Sequence, residues 1–136
     1  GDQGSPEFWD NFLSQYNRPI SIFIDDGGHY MDQQILTFEK VFPRMPVGSI
    51  YICEDVHTSY MAHNGGGYGV KSSFINYAKD YIDVIHSSWI NEFDTKLEHK
   101  KKIGKDLTGL FFYDSVVVFE KSGKKEMTRV FPTKFR

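Results

Sequence analysis

The 136-residue sequence has a single cysteine, Cys53, so no intrachain disulfide can staple it. A lone cysteine inside an apolar run behaves as an inert small hydrophobe, and it fits a reducing, cytoplasmic setting. No apolar stretch approaches the roughly 18 residues that cross a bilayer, so no membrane partner is expected. The first residues, Gly1-Asp2-Gln3-Gly4-Ser5, are polar and do not form a signal peptide. There is no initiator Met, and the chain is expected to continue upstream of Gly1. Charge of one sign is missing too. The net charge of −2 leaves no electrostatic footprint for nucleic acid. The one basic run, Lys100-Lys101-Lys102 with Lys105, reads as a solvated loop. Internal repeats and low-complexity linkers are also lacking, so residues 1–136 are expected to form a single domain with one core.

What is present is an alternation of short apolar runs and amphipathic stretches, with aromatics at 16% pointing to a core of Phe and Tyr. Ser5 and Pro6 suit the N-cap and first position of a helix over residues 6–16. Ile20-Ser21-Ile22-Phe23-Ile24 is β-branched and apolar, the pattern of a strand buried on both faces. A helix follows over about 32–42, with Ile35, Leu36, Phe38 and Val41 inward. Ser49-Ile50-Tyr51-Ile52-Cys53 reads as a second buried strand. Residues 57–69 read as a long Gly- and His-rich loop, 71–89 as the longest helix, and 94–108 as a polar surface excursion. Residues 110–113 and 116–120 form a strand region around Asp114-Ser115. Ser122-Gly123 signals a hairpin turn, and 127–131 is the last strand. Strands alternating with helices predict an α/β fold whose sheet is mostly parallel, closed by an antiparallel hairpin. Gly65, Gly67 and Gly69 match a glycine-rich cofactor pattern, but no strand precedes them; they read as a loop over the acceptor.

The chemistry lies where two strands end in acids. One ends in Asp25-Asp26, the next in Glu54-Asp55, and a single crossover helix joins them. Ligands of open α/β sheets bind at the carboxyl ends of strands. Like charges gathered there need a cation or protons to relieve them. Asp26, Glu54 and Asp55 offer hard oxygen ligands for Mg²⁺ or another divalent cation. His29, three residues past Asp26, can reach the same rim.

The segment Ile24-Asp25-Asp26-Gly27-Gly28-His29, with Glu54-Asp55-Val56-His57-Thr58-Ser59-Tyr60, Gly65-Gly66-Gly67-Tyr68 and Phe112-Tyr113-Asp114-Ser115-Val116-Val117-Val118, resembles the metal-dependent O-methyltransferases of macrolide sugars, the mycinamicin type. The catechol-type enzymes are similar in spacing. The resemblance implies a class I, S-adenosylmethionine-dependent fold with a Rossmann-like sheet, of which this chain would supply strands four to seven, the C-terminal portion. The first strand and its Gly-rich cofactor turn are not found. It further implies Asp26, Glu54 and Asp55 as metal ligands and His29 as the base that deprotonates a sugar or natural-product hydroxyl. Asp2, Gln3 and Asp25 fall near the cofactor, and His57 and Tyr60 near the acceptor. Without the first strand, residues 20–24 would be an exposed edge, and a homodimer or higher oligomer through it is expected. Two other functions stay open: a non-catalytic interaction module, and a metal-dependent hydrolase or oxygenase-like enzyme using the same acidic rim.

Overall fold

The computed structural model describes residues 1–90 and 95–123. The strand expected at 127–131 lies outside them. Four strands, β1 (Ile22–Asp25), β2 (Ser49–Cys53), β3 (Gly109–Tyr113) and β4 (Val116–Lys121), form one sheet in the order β1-β2-β4-β3. β1 and β2 are parallel, and β4 runs antiparallel to both β2 and β3. Strands β1, β2 and β3 therefore share a direction, and β4 alone opposes them. This is the partial, mixed Rossmann-like sheet expected of strands four, five, seven and six.

Helix α1 (Pro6–Gln15) starts as its sequence dictates: Ser5 Oγ accepts the Phe8 N–H at 3.2 Å and Pro6 needs no donor. Helix α2 (Met31–Val41) is the crossover between β1 and β2. The expected long helix over 71–89 is instead α3 (Phe74–Lys79), α4 (Tyr81–Ile85) and a 3-10 turn at Ser87–Trp89. The break falls at Asp80, whose ψ of −19° tightens the turn, while the apolar face continues through Ala78, Tyr81 and Val84. Residues 95–103, expected as an excursion, form helix α5, anchored by buried Ile103 and by Leu107 just beyond it. The loop from 57 contains two 3-10 turns, Val56–Tyr60 and Ala62–Asn64. A hairpin turn at Asp114 and Ser115 joins β3 to β4, and the far arm of the turn expected at Ser122 and Gly123 lies outside the described residues. Ser115, the second residue of this two-residue loop, takes a left-handed φ of 61°.

Register explains the core. Phe23, Tyr51, Phe119 and Leu110 lie opposite one another across the sheet on the face that packs against the helices. Phe38 of α2 is fully buried against that row, with ring centroids 4.2 Å from Phe119, 5.1 Å from Tyr51, 5.2 Å from Tyr81 and 4.8 Å from Phe42. The other face carries the row Ile24, Ile52, Val118 and Phe111, beside Ile22 and Ile50. Ile22 is 64% exposed and Ile24 55%, so β1 is not buried on both faces as its composition suggests. Among the described residues nothing covers that face. Lys121 is the exception on the packed side. Its buried ammonium donates to the Phe42 and Pro43 carbonyls at 3.1 and 3.3 Å, the first of which also accepts the Met45 N–H, and burial lowers its pKa.

Candidate metal centre

Side chains alternate along β1, so consecutive acids at its tip part company. Asp25 points into the packed face and is 4% exposed; Asp26 stays out. Asp25 Oδ2 accepts from Tyr51 OH at 2.9 Å and Oδ1 from Gln3 Nε2 at 2.7 Å. Burial raises its pKa from 3.8 to about 6, against the lowering effect of those two hydrogen bonds. The sign follows from the folded state holding this proton more tightly than the unfolded chain. Asp25 costs nothing below pH 4, and stability is lost as pH rises toward 6, by about 3 kcal/mol in all. Denaturation in metal-free buffer should show that decline, and Asp25→Asn should flatten it. An unchanged slope in the variant would count against this assignment.

Gln3 joins the N-terminal segment to the rim. Its Nε2 also donates to Thr37 Oγ1 at 3.0 Å, its Oε1 accepts the Gly28 N–H at 2.7 Å, and its carbonyl takes the Trp9 indole N–H at 2.9 Å. A Cβ on Gly27 would run into that same amide, so glycine permits the close approach. Asp2 is exposed, with Oδ1 accepting the Gly4 N–H at 2.9 Å.

Outside the core, Asp26, His29 and Asp55 offer ligand atoms that all lie within 4.8 Å of one another. His29 Nε2 is 3.8 Å from Asp26 Oδ1 and 3.6 Å from Asp55 Oδ2. Its Nδ1 is buried with no partner among the described residues, so Nε2 is the nitrogen presented to the rim. Glu54, half-buried, is not part of this group. Its backbone is fixed instead: its N–H donates to Asp25 O at 2.9 Å and its carbonyl accepts from Gln34 Nε2 at 3.2 Å. Asp55 then takes a left-handed φ of 52°, which ends β2, and His29 has φ 56°. Non-glycine residues adopt this conformation at a cost, and such costs concentrate at functional sites.

Asp55 stands between two histidines, its Oδ1 being 3.9 Å from His57 Nδ1. His57 Nδ1 also meets Ser115 Oγ at 2.6 Å, tying the rim to the β3–β4 hairpin. A cavity of about 350 Å³ opens there, lined by His57, Tyr60, Phe112, Tyr113 and Ser115 among others. His57 and Tyr60, singled out as acceptor residues, thus share one cavity wall, and Tyr60 is 54% exposed. Sequence inspection missed Tyr51, Gln34 and Ser115. Only Tyr51 left a signal, being on the same strand face as Cys53, the partner of Asp25.

No family model matches the chain. Mycinamicin VI 2''-O-methyltransferase of Micromonospora griseorubida is 28% identical over 129 residues, covering 93% of this chain and 32% of that protein. The 8-demethyl-8-alpha-L-rhamnosyl tetracenomycin-C 2'-O-methyltransferase of Streptomyces olivaceus is 35% identical over 69 residues, covering 50% of this chain and 18% of its own length. MycE methyltransferase from the mycinamycin biosynthetic pathway, solved in complex with Mg and SAH, matches with a TM-score of 0.79 and 27% identity over 99% of this chain and 35% of that one. Its complex with Mg, SAH and mycinamycin VI matches with a TM-score of 0.73 and 28% identity, over 90% of this chain and 31% of that one. The relatives in sequence and in structure are thus mycinamicin- and tetracenomycin-type O-methyltransferases, and the described sheet matches the methyltransferase fold of MycE. The chain spans about a third or less of the length of these relatives.

Proposed function

We propose that this chain is the metal- and acceptor-binding part of an S-adenosylmethionine-dependent O-methyltransferase acting on a hydroxyl of a sugar or related natural product. The observation that carries the proposal is the convergence of Asp26, His29 and Asp55 within 4.8 Å at the carboxyl ends of adjacent parallel strands. Exposed carboxylates packed this closely fit a hard divalent cation such as Mg²⁺. Asp26 and Asp55 would hold it, with Glu54 as the third oxygen ligand from the neighbouring position. The cation's chemistry is to lower the pKa of the acceptor hydroxyl.

The chain's own residues supply the rest. His29 Nε2 faces the rim and takes the hydroxyl proton, the general-base role that imidazoles commonly fill. Ser115 fixes the ring of His57, and with Tyr60 it orients the acceptor in the adjoining cavity. Tyr60, Phe112 and Tyr113 shield that cavity from water and offer flat faces to a sugar ring. On the other flank, Gln3 pins Asp2 to the carboxyl end of β1, where Asp2, Gln3 and Asp25 border the cofactor; Asp25 acts there as the buried post that fixes Gln3. Residues 1–136 form one domain in this reading. The reduced, buried Cys53 suits a cytoplasmic setting. Among the described residues no helix is long and apolar enough to cross a membrane.

Titration with Mg²⁺ and methyl-labelled S-adenosylmethionine, with mycinamicin VI as acceptor, tests this. The expected result is saturable Mg²⁺ binding by the chain and, once the cofactor-binding part is supplied with it, label transfer that needs Mg²⁺ and falls by at least about a hundredfold in His29→Ala, the scale of a lost general base. Failure to bind either Mg²⁺ or the cofactor would favour an interaction module. Hydrolysis of an ester or phosphate without the cofactor would favour the hydrolase. We infer also that the chain self-associates through β1, which among the described residues pairs on one side only and exposes Ile22 and Ile24. A monodisperse monomer in sedimentation would overturn that.

A further inference from the structure

A second cavity, of about 590 Å³, begins where the acidic rim ends, since Tyr30 and Met31, the residues after His29, form part of its wall. Its volume lies in the range of small-molecule sites. Met31, Ile35 and Leu36 make the wall apolar, and Tyr30 is an aromatic face 48% exposed. Both charged residues lining it, Asp32 and Glu39, are acidic. Among the described residues neither forms an ion pair. Asp32 Oδ1 accepts only the adjacent Gln33 N–H, at 2.9 Å, and Glu39 Oε1 accepts the Tyr77 hydroxyl at 3.0 Å. Lys40, next to Glu39 in α2, pairs instead with Asp10 at 2.8 Å.

An independent observation comes from Asn64 in the same wall, which is 9% exposed. Its Nδ2 donates to the His29 carbonyl at 3.2 Å, but its Oδ1 is buried and has no partner among the described residues. Buried acceptors are nearly always satisfied, and a donor arriving from outside would satisfy this one. Gly65 follows it at φ +81°, where an added Cβ would meet only the Met31 side chain. The charged groups in the wall are thus both negative and its orphaned buried side-chain oxygen is an acceptor, while the Ser72 hydroxyl and the uncapped first N–H groups of α2 are the donors present.

We propose that this cavity binds a protonated amine on an apolar frame, with Asp32 and Glu39 as counter-charges and Asn64 Oδ1 as the acceptor for an N–H. The apolar wall raises the value of the charge pairing by thinning the water around it, and the Tyr30 ring adds a face that attracts cations. The site is separate from methyl transfer and does not depend on that reading, so the two can fail independently.

The test is a two-dimensional amide NMR titration of the whole chain with cyclohexylammonium, at neutral pH and with Mg²⁺ in excess to occupy the rim. Cyclohexanol, similar in shape but uncharged, is the control. Expected are saturable shifts at Tyr30, Ile35, Asn64 and Gly65, with cyclohexanol weaker by about tenfold. Glu39→Gln keeps the acceptor for Tyr77, and Asp32→Asn alters an exposed site, so a folding failure in one leaves the other. Each should weaken the amine by about threefold and leave cyclohexanol unchanged. Equal binding of amine and alcohol, the absence of saturable shifts in the cavity, or shifts confined to Asp26 and Asp55 would overturn the proposal.

Discussion

Asp55→Asn is expected to weaken Mn²⁺ binding by about a hundredfold or more, because even second-sphere changes at metal sites cost up to that much. Asparagine is the informative substitution. It removes the charge and keeps a side chain that tolerates the left-handed backbone Asp55 adopts at φ 52°. Asp55→Ala should lose the metal equally but also lose about 1–2 kcal/mol of stability, since a Cβ without a local hydrogen bond pays the full strain of that conformation. Calorimetric titration, beside urea unfolding without metal, separates the two effects. Unchanged Mn²⁺ affinity in Asp55→Asn would remove the metal centre from this rim.

The largest expected effect on folding comes from Phe38→Ala. Phe38 is fully buried and meets Phe42, just past the end of α2, and rings from β2, α4 and β4: Tyr51, Tyr81 and Phe119. Truncation should cost about 3–5 kcal/mol, from lost transfer energy and the cavity left behind. Against a typical total of about 5–15 kcal/mol, that leaves the chain marginal or unfolded at room temperature. Phe38→Leu, which keeps much of the volume, should cost about half as much or less. The urea midpoint measures both, and a midpoint unmoved by the alanine would show that this aromatic cluster is not what holds helix to sheet.

Much of the site was legible before any coordinates because two independent patterns coincide. Both β1 and β2 are β-branched runs that stop in acids, and the parallel pairing of Asp25 with Cys53 places those tips side by side. What the sequence could not show is parity and distance. Whether Asp25 or Asp26 faces the core depends on where the strand's alternation begins, and a buried carboxylate with a raised pKa looks the same in one-letter code as an exposed ligand. The hydrogen bond from His57 to Ser115 joins residues 58 positions apart and leaves no local trace. The break at Asp80 is equally silent, because the apolar face of α3 continues in register into α4. Composition also suggested that β1 was covered on both sides. Isoleucines favour a strand whether or not anything lies over them, so the open face of the sheet became visible only with the register.

That open face has a consequence at the bench. Dyes such as anilinonaphthalene sulfonate brighten on accessible hydrocarbon, and their glow is commonly taken to signal a loosened, molten state. Here the described sheet, already folded, presents Ile22, Ile24 and Ile50 to solvent at one side and Phe111 at the other. Native samples of this chain should fluoresce with the dye while keeping sharp near-ultraviolet dichroism from their packed tyrosines, and the dye alone will not report on its folding.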